Sequence, residues 1–158
     1  WRKDVVLSTI TVRFKGKDSV ESRKGIISYE FYVWNKSRLG FEFNNCIVDI
    51  DMGKQAIINF KASGGLQAER PKLDISKWKI DIDETFDIVE KNIGTDVINK
   101  FNNPTVLIRT WNDSWRFSTI IGKKVNITGT EEEIAEDDTA IDIDVQTGKI
   151  LKVKKTQM

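Results

Sequence analysis

Histidine is absent from all 158 residues. Its absence removes the commonest general base and the commonest metal ligand. A single cysteine, Cys46, rules out an intrachain disulfide, and without histidine it has no partner for a Cys–His nucleophile pair. Its setting, Asn44-Asn45-Cys46-Ile47-Val48, suits a small hydrophobe in a strand. An excess of charge of one sign is missing too. Lys and Arg number 25 against 24 Asp and Glu, a net charge of +1. That balance gives no electrostatic case for nucleic acid or an anionic membrane. No run approaches the ~20 apolar residues that span a bilayer as a helix. No secretory signal pattern is present. Because the chain opens on Trp1 rather than methionine, we expect a processed form or fragment whose preceding segment carried a signal or a lipid anchor.

What is present is a globular balance: 39% hydrophobic and 31% charged residues, enough for one domain or two small lobes with an ordinary core. Three short tracts alternate an apolar residue with aspartate: Val48-Asp49-Ile50-Asp51, Ile80-Asp81-Ile82-Asp83 and Ile141-Asp142-Ile143-Asp144. Period-two alternation marks a strand with one buried and one wet face. The first and third tracts run into Gly53 and Gly148, which suggests a repeated β unit. Ser28-Tyr29-Glu30-Phe31 matches Ser114-Trp115-Arg116-Phe117 in the same sense. The residues separating each match from its aspartates then differ by about the length of the acidic stretch 131–138, which reads as an insertion.

Along the chain, residues 5–14, 26–34, 39–52 and 55–61 read as strands, giving a helix-less antiparallel meander. Residues 15–24 form a polar loop and 35–38 a turn. A bend falls at Asn44-Asn45. Ser63-Gly64-Gly65 and Arg70-Pro71 make the best linker. The only convincing helix runs from about Asp83 to Phe101. Asp81 with Glu84 has capping-box spacing, Gly94 ends or kinks the helix midway, and Pro104 stops it. Residues 105–111 and 115–121 form a hairpin, the acidic stretch a loop or weak helical turn, and 140–145 with 149–154 a closing hairpin. The expected fold class is α+β, with two antiparallel β-rich lobes in tandem. The first spans residues 1–70 and the second 73–158, with the main helix packed on the second sheet.

The second half resembles a PepSY-type domain. The residues carrying the resemblance are Trp78-Lys79-Ile80-Asp81-Ile82-Asp83-Glu84 leading into the helix, Ser114-Trp115-Arg116-Phe117, and Ile143-Asp144-Val145-Gln146-Thr147-Gly148-Lys149-Ile150. The first half, with Trp1 and Asp4 and the 28–31 strand, looks like the helix-less lobe that precedes such domains in small exported bacterial proteins. The resemblance implies a non-enzymatic protein, extracellular or attached to the cell envelope, that binds a protein or peptide and modulates a peptidase. It carries over no catalytic, cofactor or metal residue. A structural module of an envelope assembly is the alternative within that setting.

A different class of function rests on the paired aspartates. Asp49 and Asp51 share a strand face ~6.6 Å apart, within the ~6.5–9.5 Å carboxyl spacing of inverting glycosidases. Asp142 and Asp144 repeat the arrangement, so a carboxylate-dependent, glycan-acting enzyme is the alternative. The plainer reading is the solvated face of half-buried strands, since a catalytic acid needs surroundings that raise its pKa. Asp81 and Asp83 read as helix caps. Glu131, Glu132, Glu133, Glu136, Asp137 and Asp138 supply oxygen ligands of the kind Ca²⁺ takes, without the spacing of a known loop. No cofactor motif is present. Among five tryptophans, Trp78 and Trp115 read as core between helix and sheet. Tyr32, Trp34 and Trp111 are the candidates for an exposed partner surface. Lys149, Lys152, Lys154 and Lys155 read as guards on an edge strand.

Overall fold

A computed structural model describes residues 5–37, 40–65, 72–99, 104–111, 114–127 and 130–155, with side chains for 5–32, 45–62, 72–99, 104–111, 114–120 and 138–155. The fold is α+β. Eight strands form one antiparallel sheet: β1 Val5–Lys15, β2 Ile26–Ser37, β3 Gly40–Asp51, β4 Ala56–Gly65, β5 Thr105–Trp111, β6 Ser114–Ile127, β7 Thr130–Asp144 and β8 Ile150–Lys155. Their order is β4-β3-β2-β1-β5-β6-β7-β8. Each half contributes a four-strand meander, and the antiparallel pairing of β1 with β5 joins the two meanders into one sheet. The expected domain boundary near residue 70 lies outside the described residues.

Helices cover one face. The main helix, α2, runs Ile82–Ile93 and begins with a complete capping box: Asp81 accepts from the Glu84 N–H while Glu84 accepts from the Asp81 N–H. Phe86 and Val89, on its inner face, are fully buried. Phe86 stands edge-on to Phe14 of β1 at 5.0 Å and to Phe117 of β6 at 5.4 Å, so α2 lies across the join between the halves. The helix is shorter than the sequence suggests. It stops at Gly94, whose φ of 93° is open to glycine at no steric cost, and a separate turn, α3 Asp96–Asn99, follows. Phe101 lies outside the described residues.

Four further expectations are corrected. Residues 15–24 are not all loop, for Lys17–Glu21 form a short helix, α1, that buries Val20. The linker residues Ser63-Gly64-Gly65 continue β4, pairing with Asn45, Asn44 and Phe43. The pairing of β2 with β3 runs unbroken through Asn44-Asn45 and on to Ser37, with no bend or early turn. The acidic stretch is strand backbone: β7 pairs with β6 from Ile127↔Thr130 onward, with a bulge at Asp138. Pairing to a long neighbouring strand outweighs the weak β propensity of its glutamates.

The two meanders match in register, though not where the sequence motifs suggest. Asp51 faces Ile26, and Asp144 faces Ser114, so Ser28 and Ser114 do not occupy corresponding places. The aspartate tracts do correspond. A bulge falls between Asp49 and Ile50 against β4, and another between Asp142 and Ile143 against β8. In the first hairpin Asp49 faces Asn59 and Ile50 faces Ile57; in the last, Asp142 faces Lys152 and Ile143 faces Ile150.

Candidate functional site

Asp51 Oδ1 accepts the backbone N–H groups of Gly53 and Lys54 at 2.9 and 3.0 Å. Asp144 Oδ1 accepts those of Gln146 and Thr147 at 3.0 and 2.8 Å, and the Thr147 hydroxyl at 2.8 Å. Both are Asx turns that close a hairpin. These bonds hold each carboxyl below its ordinary range, led by the Lys54 N–H for Asp51 and by the Thr147 hydroxyl for Asp144. The shift runs opposite to the one a catalytic acid requires. The inner pair is also engaged. Asp49 accepts from Asn59 Nδ2 at 2.8 Å. Asp142 takes a two-pronged bond from Arg116, Nε at 2.6 Å and Nη2 at 2.9 Å, with both side chains largely buried. Asp81 caps α2, while Asp83 lies in its first turn, where a negative charge meets the positive end of the helix dipole.

The aromatic residues divide. Trp115 is buried and donates from Nε1 to the Ile80 carbonyl at 2.7 Å, and Trp78 stands edge-on to it at 4.9 Å. Beside them opens a shallow apolar groove of roughly 200 Å³ lined by Ile10, Ile75, Trp78, Ile80 and Trp115. Trp111 is 42% exposed, with the Arg116 guanidinium 3.9 Å from its ring centre and that of Arg109 at 5.5 Å. Tyr32 is buried, not surface-exposed, and its hydroxyl donates to Glu30 at 3.1 Å. The Trp34 side chain, like those of 131–137, lies outside the described residues.

Among the described residues, the most exposed large apolar side chains are ones the sequence reading missed. On the edge strand β4, Ile57 and Phe60 are 66% and 68% exposed and Ile58 nearly half. The signal was in the sequence: Ile57-Ile58-Asn59-Phe60 breaks the period-two alternation, as a strand does when a bulge and a bare edge coincide. The other edge, β8, exposes Leu151 and Val153 but sets Lys152, Lys154 and Lys155 among them.

No protein-family profile matches this chain, and no curated protein matches it. Among solved structures it is similar to a candidate lipoprotein from Clostridium difficile 630. The TM-score is 0.50 at 16% identity, over 98% of this chain and 84% of that one. The likeness is one of fold and extends through both meanders.

Proposed function

We propose that this chain is a non-enzymatic exported bacterial protein of PepSY type that binds an extended segment of a protein or peptide at the cell envelope. The observation that carries the reading is the edge strand β4. An edge strand offers unpaired backbone groups to an added strand. On β4 these groups lie beside Ile57, Ile58 and Phe60, which an incoming strand would cover. The lysines of β8 make that edge a poor template. The envelope location is supported by the lipoprotein description of the structural neighbour. A duplicated β unit, with lobes at 1–70 and 73–158, is supported by the matching bulges and Asx turns. The PepSY reading of the second half is supported by the capped helix and the closing 143–150 hairpin.

The test is capture from a native envelope extract by the immobilised chain. We expect a peptidase or another envelope protein to be retained, and retention to be lost in the Ile57→Lys/Phe60→Lys double variant. It should survive Lys152→Gln/Lys154→Gln. Retention of nothing, together with hydrolase activity on peptides or glycans, overturns the proposal.

A further inference from the structure

The net charge of +1 conceals a local surplus. The connection from β1 to β2 takes the ten residues 16–25, whereas β5 to β6 needs only 112–113. The longer connection folds as α1 and builds a cleft of roughly 290 Å³ lined by Arg13, Lys15, Ser19, Lys24, Gly25, Ile26 and Asp51. Arg13 and Lys15 project from alternate positions of β1, and Lys24 comes from the far end of the connection. Among the described residues, none of the three cations forms an ion pair. The cleft's one carboxylate is already committed: Asp51 Oδ1 serves its own turn, and Oδ2 lies 3.5 Å from Lys54 Nζ. Asp51 brings a single negative charge against the three cations, so the cleft keeps a positive surplus.

The position is also fixed. The Gly25 carbonyl accepts the Met52 N–H at 3.0 Å, and the Ser19 hydroxyl donates to the Lys24 carbonyl at 2.7 Å. A Cβ on Gly25 would lie 2.3 Å from the Arg13 carbonyl oxygen, so only glycine lets the connection approach β1 this closely. At the corresponding end of the second meander β5 ends at Trp111 and β6 begins at Ser114, so the ten-residue connection that builds the cleft belongs to the first half.

We infer that this cleft binds the phosphate group of a phosphorylated ligand. A doubly charged oxyanion matches the surplus of cations: arginine offers paired donors and lysines offer mobile point charges. The volume exceeds that of phosphate alone, leaving room for the group to which it is esterified. This site shares no residue with the β4 edge and does not depend on that reading.

The test follows backbone amide resonances of the full chain while inorganic phosphate, and separately pyrophosphate, is added at constant ionic strength. The chain is also sedimented with vesicles of phosphatidylglycerol in phosphatidylcholine. Saturable shifts centred on Gly25 and Ile26, weakened roughly three- to fivefold per removed charge in Arg13→Gln and Lys24→Gln, support the site. Shifts with free phosphate alone assign it to a soluble ligand. Sedimentation that is lost in the Arg13→Gln/Lys24→Gln variant assigns it to a lipid headgroup. Arg13 and Lys24 are both exposed, so their variants retain the parent's resonance dispersion. No saturable shift and no vesicle binding, or a response unchanged in the double variant, overturns the inference.

Discussion

At the scale of single residues, the aspartates that stand out by their regularity do different jobs. Asp51 and Asp144 close turns, Asp142 anchors an arginine and Asp49 bonds across strands. The turn-closing pair has a pH signature. Their folded pKa values are depressed, so their stabilisation is present above the unfolded aspartate value of about 3.9 and is lost as pH falls through the lower folded value. We expect Asp144→Ala to melt below the parent at neutral pH, with the gap closing below about pH 4; thermal melts across the acid range measure it. The Arg116–Asp142 pair is different, since both partners are largely sequestered. Removing the carboxylate leaves the guanidinium its contact with the Trp111 ring but takes away its paired anion, so Asp142→Leu should cost about 3 kcal/mol in chemical denaturation. Arg116→Met added to it should restore part of that loss.

At the scale of elements, Gly94 decides where the main helix ends. Its φ is positive, yet a Cβ placed there would meet nothing within 4 Å. The cost of Gly94→Ala is therefore conformational alone, about 1–3 kcal/mol for an extended positive-φ backbone, visible as a lowered denaturation midpoint with unchanged slope. Phe86→Ala removes the ring that bridges Phe14 and Phe117 and should cost about 3–5 kcal/mol. Local signals made several elements legible in the sequence. Asp81 and Glu84 announced the cap, the Ile/Asp alternation announced β3 and β7, and the 112–114 region announced a hairpin. What escaped was decided by distant partners. The acidic stretch is a strand because β6 lies alongside it, and Ser63-Gly64-Gly65 is a strand because β3 does. The α1 cleft was hidden because its three cations come together only when β1 and the β1–β2 connection fold against each other.

At the scale of the whole molecule, two unlike edges flank one sheet. If β4 is the sticky one, the chain should self-associate through it at high concentration when no partner is present. Ile57→Lys/Phe60→Lys should suppress that association, measured by sedimentation velocity, while lysine removal on β8 should promote it. The strand order has a further consequence, for how fast the molecule can form. Every ladder but one joins strands adjacent in sequence. The β1–β5 ladder instead aligns Thr11 with Arg109 and Ile108 with Val12. Bringing such distant segments together costs about 4 kcal/mol of chain entropy before any contact returns it. Each meander can zip locally and wait. Pulse-labelled hydrogen exchange should therefore find the hairpin amides protected early and those shared by β1 and β5 protected last, with the overall rate set by that single long-range closure.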